Sequence, residues 1–291
     1  FTKSFKIETT TADTSPNTGT YASFTYNIEG YDVQHLLKGT SSAKSFTVSF
    51  WVKGNTNYSP VLEVADVSNT RMNVQTFNVT SSWTKVALTF VGDTSGTLTD
   101  NANTQLQFNI WLKASAFYSG GTASTQNTWV DRTNHNQRAA LLTYDIGAST
   151  SNYFQITGFQ IEEGSTATAF EFEPVGTTLA RCQRYYYVHA DQNNANLLPV
   201  LNAANYNNTT GYGVIHFPTP MRHLPSIVQS GGTSHWRGYG NNGNNQFDSF
   251  SLVKISNNAA EVSFPNTRGT GNALFIRSNA NGSLLAFSSE L

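Results

Sequence analysis

One cysteine, Cys182, in 291 residues excludes an internal disulfide, and no CxxC pair or Cys/His grouping at zinc spacing takes its place. Stability therefore has to come from packing or from assembly with other chains. Charge is scarce as well. Lys, Arg, Asp and Glu supply 12% of the chain, against about a quarter in average proteins, and the formal net charge is −1. No basic stripe exists to neutralise a run of phosphates, which excludes nucleic acid as a partner. Apolar runs are only a few residues long, which excludes membrane insertion as a spanning helix. The repeating rungs of a β-solenoid are missing too.

What is present is 38% hydrophobic and 13% aromatic residues, with 22 glycines among many Asn, Thr and Ser. That is enough apolar surface for one large all-β domain or two ordinary ones. Period-2 alternation dominates. SFTVSFWVKG (45–54) sets Phe46, Val48, Phe50 and Val52 on one face, and TKVALTFVG (84–92) does the same with Val86, Leu88 and Phe90. TQLQFNIWLK (104–113) turns Leu106, Phe108, Ile110 and Leu112 inward and Trp111 outward. NYFQITGFQIEEG (152–164) and TAFEFEP (168–174) complete the strands expected in the first half, with DVQHLLKG (32–39) as a short helical turn closed by Gly39. FTKSFKIETT carries neither an initiator Met nor a signal peptide and already alternates, so the expectation is a segment of a longer polypeptide.

EPVGTTLA (173–180) has the composition of a linker, Pro174 stopping one strand and Gly176 freeing the chain to turn. Beyond it QRYYYVHA (183–190), GYGVIHF (211–217), PSIVQS (225–230), FDSFSLVKIS (247–256), AEVSFP (260–265), ALFIRS (273–278) and SLLAFSS (283–289) are expected strands. The asparagine-rich stretches NNANLLPVLNAANYNNTTG and GYGNNGNNQ are expected loops between them. The predicted fold is all-β: two β-sandwich or jelly-roll-like domains, 1–173 and 181–291, joined by a short linker at 174–180.

SSAKSFTVSFWVKGN, SSWTKVALTFVGDTSGTL and LQFNIWLKASAFYSGGT, followed by IEEGSTATAFEFEP and RCQRYYY, resemble bacteriophage virion structural proteins of the tail-fibre and tailspike type, especially from marine phages. FPTPMRHLPSI (217–227) is similar to a segment of such fibre tips. The resemblance implies a jelly roll like those of carbohydrate-binding modules, with a further strand pair upstream of Phe1, leading into a strand at CQRYY. It implies a homotrimer in the phage tail, other virion proteins as partners, a host cell-surface glycan as ligand, and residues 181–291 as the receptor-binding tip. A capsid decoration protein or head fibre, and a carbohydrate-binding module of a secreted bacterial enzyme, are the alternative functions. In a trimer, Tyr185 to Tyr187 and Phe247 to Phe250 are surfaces that protomers would bury.

Catalysis is not expected. On a strand, Cys182 and His189 lie over about 20 Å apart at about 3.3 Å per residue, too far for a nucleophile and its base. Glu162 with Glu163 and Glu171 with Glu173 are the close carboxylate pairs that glycoside hydrolysis would need, but neighbours point to opposite faces and FEFE reads as a solvent face. Asp93, Asp100 and Asp131 sit in loops and supply oxygens of the kind structural Ca²⁺ takes, though Asp in GDTSG also simply makes a turn. No other cofactor is implied. His216, His223 and His235 are the three histidines that could converge on a metal. For sugar, exposed aromatics beside planar amides, carboxylates and guanidinium groups are the useful chemistry. The loop 118–138 offers Tyr118, Trp129, Asp131 and Arg132, with the competing reading that Trp129 anchors the loop; the loop 234–246 offers His235, Trp236, Arg237 and Tyr239.

Overall fold

Alternation at period 2 forms strands here because every second side chain enters an apolar interior. The computed structural model describes residues 1–192, 197–240, 243–267 and 269–290, which fall into two compact units, Phe1–Glu171 and Phe172–Glu290. The protein is nearly all β, built of antiparallel sheets.

Unit 1 contains β1 (Phe5–Glu8), β2 (Tyr21–Glu29), β3 (Phe46–Gly54), β4 (Val61–Asp66), β5 (Arg71–Thr76), β6 (Thr84–Phe90), β7 (Thr104–Ala114), a short helix α1 (Ala116–Ser119), β8 (Val130–Asp131) and β9 (Tyr153–Glu163). Two sheets, ordered β1-β9-β3-β6 and β2-β7-β4-β5-β8, enclose one core made of the stripes that alternation marks: Phe46, Val48, Phe50 and Val52 from β3 against Leu106, Phe108, Ile110 and Leu112 from β7. Each such side chain contributes roughly 1.5–3 kcal/mol relative to exposure. VLEVAD and RMNVQT, which make β4 and β5, show no alternation because both of their faces are covered. Leu62 and Val64 enter the main core, while Val61, Met72 and Val74 pack with Trp111 and Ala139 in a second cluster on the other face. GYDVQHLLKG (30–39) forms two 3₁₀ turns, Gly30–Asp32 and Gln34–Leu36, around the buried Val33 and Leu36. Gly39 ends this segment at φ +83°, where a Cβ would come within 2.5 Å of Thr97 N.

TAFEFEP is not a strand, contrary to its alternation. β9 already has β1 and β3 on its two edges, so the returning chain cannot pair with β9 itself. It bonds instead to β9 side chains, Thr168 N donating to Glu162 Oε2 at 3.2 Å and Glu171 N to Gln160 Oε1 at 2.9 Å.

The linker and the strand expected around RCQRYYY also require correction. Residues 175–183 form the helix α2 (Val175–Gln183). Pro174 starts it rather than merely ending what precedes, because a helix N-terminus needs no donor from its first residues; Pro174 O accepts from Thr177 N at 2.9 Å and Thr178 N at 3.2 Å. Leu179, Ala180, Arg181 and Gln183 then favour the helix. Cys182 is exposed on it, so Cys182, Arg184, Tyr186 and Val188 do not share a strand face. The strand β10 (Tyr186–Asp191) begins only at the second tyrosine.

Unit 2 continues with β11 (Pro199–Asn205), β12 (Thr210–His216), β13 (Ser226–Gln229), β14 (Trp236–Gly240), β15 (Gly243–Phe247), β16 (Ser251–Ile255), β17 (Ala259–Pro265), β18 (Ala273–Ser278) and β19 (Leu284–Ser288). One sheet runs β15-β14-β18-β11-β12-β17-β16, the other β10-β19-β13. The core between them holds Ile215, Trp236, Val262, Phe264, Leu274 and Ile276 from the first and Ala190, Leu285 and Phe287 from the second. Two expected loops are strands: β11 lies within NNANLLPVLNAANYNNTTG, and GYGNNGNNQ makes most of the β14–β15 hairpin. Residues 193–196 and 241–242 of those stretches lie outside the described residues. Phe247 and Phe250, expected on a surface between protomers, are 4% and 2% exposed and pack against Phe264 and Trp236.

His189, on β10, reaches β11 with Nε2 2.7 Å from Val200 O, and its Nδ1 is 3.0 Å from the Tyr187 hydroxyl. A carbonyl only accepts, so Nε2 carries the proton and Nδ1 accepts from the tyrosine, which fixes a neutral tautomer. Burial pushes the imidazole below its ordinary value, against a smaller opposing effect of the Val200 bond. The folded state therefore binds this proton more weakly than the unfolded chain does, and unit 2 loses stability as pH falls below about 6.5. His189→Gln should flatten that dependence between pH 7 and 5, read by denaturant unfolding; an unchanged slope would remove His189 as its source.

Candidate functional site

The loop 118–138 is a clamp on its own unit. Its anchor is Glu63, fully buried on the outer face of β4. Glu63 Oε1 accepts from Arg132 Nε at 2.7 Å and Arg138 Nε at 2.9 Å, and Oε2 from Trp111 Nε1 at 2.9 Å. The Arg138 guanidinium also lies 4.9 Å from the centre of the Trp111 ring and 5.6 Å from that of Tyr118. Tyr118 is half-buried among Trp111, Tyr21 and Phe117. Trp129 donates to Val91 O at 2.7 Å and packs against the main core, the loop-anchor alternative. Asp131 is exposed and accepts from Thr133 N at 2.8 Å and from the Thr133 hydroxyl; that hydroxyl, then the backbone bond, holds its carboxyl below the usual carboxylate value. Tyr118, Trp129 and Arg132 thus each have a ring face or donor engaged within unit 1.

The second predicted loop divides. Trp236 is fully buried in the core of unit 2 and presents no face to a sugar: alternation in WRGYG sends it inward with Gly238 and sends Arg237 and Tyr239 out. His235 is tied to Gly231 O at 2.9 Å and to the Ser283 hydroxyl at 3.2 Å.

Trp51 and Trp83, outside both predicted loops, line one groove of unit 1. Trp51 lies on β3 between the core residues Phe50 and Val52, so alternation turns it to the outer face, beside Lys85 of β6 and Thr157 of β9. The signal was therefore present in FWVK. Trp83 immediately precedes β6 and is 42% exposed. Together with Phe1, Lys3, Ser4 and Thr157 they line an open groove of about 460 Å³. A β-bulge shapes it: β9 pairs Gln160 with Ser49 and Thr157 with Trp51, so one extra residue intervenes on β9. Gly158 takes φ +61° there, and a Cβ at that position would come within 2.3 Å of the Phe1 ring. That ring in turn meets Phe170 edge-on at 4.9 Å. The result is a concave apolar strip edged by Lys3, Ser4 and Thr157, whose hydroxyl donates to Lys3 O at 3.0 Å. A pyranose could lay its C–H face on the indoles while its hydroxyls reach Ser4, Thr157 and Lys3.

No protein-family model matches the chain, and no curated protein matches it. Among solved structures it is similar to a chain described as "CBM4 structure and function", at 15% identity over 52% of this chain and 68% of that one, with a TM-score of 0.27. It is also similar to the tandem CBM22-1–CBM22-2 domain of Paenibacillus barcinonensis Xyn10C, at 9% identity over 99% of this chain and 91% of that one, TM-score 0.22. A third likeness is to the T=3 Penaeus vannamei nodavirus, at 10% identity over 98% and 87%, TM-score 0.16. Scores of this size carry no weight for a ligand, which the residues have to decide.

Of the aspartates expected to suit calcium, Asp93 and Asp131 bond to protein groups. Asp93 is buried, with Oδ2 3.0 Å from Lys38 Nζ and 2.6 Å from Arg71 Nε. The place a cation would take is filled by those side chains. Asp100 is exposed in the turn after Leu98. Among the described residues no group of three or more His, Cys, Asp or Glu is arranged to hold a metal, and His216, His223 and His235 are not brought together as one. Of the close carboxylates, Glu162 bonds Thr168, Glu163 meets Lys44 at 2.7 Å, and Glu173 meets Arg181 at 2.6 Å.

Proposed function

We propose that the chain is a non-catalytic, glycan-binding structural protein of a phage virion, of the tail-fibre or tailspike type. In this reading it assembles as a homotrimer with other virion proteins and holds a host-surface glycan without covalent chemistry. The observation that carries the binding role is the Trp51–Trp83 groove: two indoles and flanking hydroxyls around one open concavity of about 460 Å³. The virion role is supported by IEEGSTATAFEFEP, RCQRYYY and FPTPMRHLPSI. Self-association is supported by Val175 and Leu179, 83% and 53% exposed one turn apart on α2. Several weak sites on one particle would give firm attachment through avidity.

The test is affinity electrophoresis of the whole chain through gels carrying neutral polysaccharides: xylan, β-glucan, mannan or galactan. At least one should retard the wild type. Trp51→Ala and Trp83→Ala should each weaken that interaction about tenfold or more, the equivalent of losing one stacked ring and its buried area, with the melting temperature of the Trp83 variant unchanged. Retardation equal to wild type in both variants sinks the groove. Light scattering and imaging of intact particles test the setting: a trimer at the tail fits a fibre, and density spread over the capsid makes the protein a decoration.

A further inference from the structure

The larger sheet of unit 2 has one face on the core and one turned away from it, and the outward face carries an unusual pairing. β14 and β18 are antiparallel neighbours in a register that sets Arg237 directly opposite Arg277 and Tyr239 directly opposite Phe275. Since Trp236, Leu274 and Ile276 fill the core, these four side chains share the outer face. Like charges placed opposite each other on a sheet are destabilising. Both guanidinium groups nevertheless gather over one ring, 6.0 Å and 4.9 Å from the Tyr239 centroid. Neither forms an ion pair among the described residues, and Arg237 Nε is buried with no hydrogen-bond partner there. Among the described residues, Arg237 Nη1 reaches only the Tyr239 hydroxyl, at 3.4 Å. This contrasts with Arg132 and Arg138, which converge in the same way but on a carboxylate.

The surroundings are neutral and polar. Asn244 lies beside Tyr239 in the register of β15, and Asn202 beside Phe275 in that of β11. Phe275 is 60% exposed and, with Arg277 and Asn202, lines a shallow depression of about 300 Å³. The row Asn244, Tyr239, Phe275, Asn202 is a strip of ring faces ended by amides, with the two arginines as the adjoining row.

We propose that this face binds an acidic saccharide, the arginine pair taking its carboxylate or sulfate while Tyr239 and Phe275 receive the sugar ring. Guanidinium forks match planar or tetrahedral anions through paired N–H donors, and an anion between them removes the repulsion of the empty site. The amides supply the donors and acceptors that hydroxyls need. Two isolated arginines in a chain of net charge −1 do not form the continuous stripe that a polynucleotide requires. The site is separate from the Trp51–Trp83 groove and stands without it.

Titration calorimetry on the whole chain tests this with three probes: an oligouronate for carboxylate, a sulfated galactan oligosaccharide for sulfate, and a neutral xylo-oligosaccharide of similar length. At least one acidic probe should bind about tenfold or more tightly than the neutral one, and weaken as salt is raised. Which acidic probe wins identifies the anion. Arg237→Gln and Arg277→Gln should each reduce that affinity about tenfold or more, whereas Trp51→Ala leaves it unchanged. Arg277→Gln should also leave the ligand-free protein as stable as wild type or more so, because it relieves the like-charge contact. Equal binding of neutral and acidic probes, wild-type affinity in both arginine variants, or no binding of either acidic probe at millimolar concentration would each overturn the proposal.

Discussion

Glu63→Leu should lower the stability of unit 1 by about 3–5 kcal/mol, the usual result of removing one partner from a buried charged group. In a unit of this size that corresponds to roughly 6–20 °C in melting temperature, read by calorimetry. The cost does not come mainly from the lost Glu63 attractions. It comes from Arg132 and Arg138, whose side chains are 15% and 13% exposed and would be left with no counter-charge, and from Trp111 Nε1, left without its acceptor at 2.9 Å. The comparison that isolates this mechanism is the triple variant Glu63→Leu, Arg132→Leu, Arg138→Leu. Replacing a whole buried ionic group by apolar residues is often neutral or stabilising, so the triple variant should recover most of the loss. If it is no better than Glu63→Leu, packing rather than uncompensated charge explains the effect.

The same cluster shows why part of the protein was readable in its sequence and part was not. β3, β6, β7 and β9 alternate because one face is apolar core and the other is polar, so strand, face and sheet class follow from pattern. β4 does not alternate: Val61, Leu62, Glu63 and Val64 are all buried, since the loop 118–138 covers the face that would otherwise meet water. That cover is a tertiary fact with no local trace. It also bears on the loop expected to hold sugar. Tyr118 and Arg132 have the composition of a binding loop because burying a charge needs the same donors and rings that gripping a ligand needs. α2 was missed for a local reason, since Pro174 and Gly176 look alike at a linker and at a helix start. For Trp51 the pattern was sufficient, and what was lacking was the bulge at Gly158 that places Phe1 beside it, which depends on the pairing of β9 with β3. In unit 2, WRGYG carries the correct alternation, and it correctly separates Trp236 from Arg237 and Tyr239. The opposition of Arg237 to Arg277 depends on a strand pairing 40 residues apart and is invisible until that register is known.

Lys38→Met should be nearly as damaging as Glu63→Leu, and its pH dependence should reveal why. Lys38 is 7% exposed. Its Nζ lies 2.5 Å from Asp66 Oδ2 and 3.0 Å from Asp93 Oδ2, and donates to Ser95 O at 2.8 Å and Gly96 O at 2.9 Å. The Trp129 ring is 5.1 Å away. One ammonium thus joins the end of β4 to the loop after β6, where Gly39 N also bonds Asp93 O at 2.8 Å. Methionine keeps most of the stem volume and removes the charge, leaving Asp66 and Asp93 facing an emptied site, at an expected cost of about 3–5 kcal/mol at pH 7. For Asp93, burial raises the pKa, but hydrogen bonds from Arg71 and then Lys38 outweigh it and hold the carboxyl below its usual value. A depressed carboxyl contributes stability above its unfolded value, near pH 3.9, and loses it as pH falls through the folded value. Without Lys38 the depression is smaller or reversed, so protonation relieves the variant sooner than the wild type. The stability gap between them should therefore be widest near pH 7 and narrow as pH falls below about 4, measured by urea unfolding at about pH 7 and about pH 3. A gap of equal size at the two pH values would assign the loss to the packing of the lysine stem, and Asp66→Asn in the Lys38→Met background separates the two, since it should restore stability only if the uncompensated carboxylate is the cause.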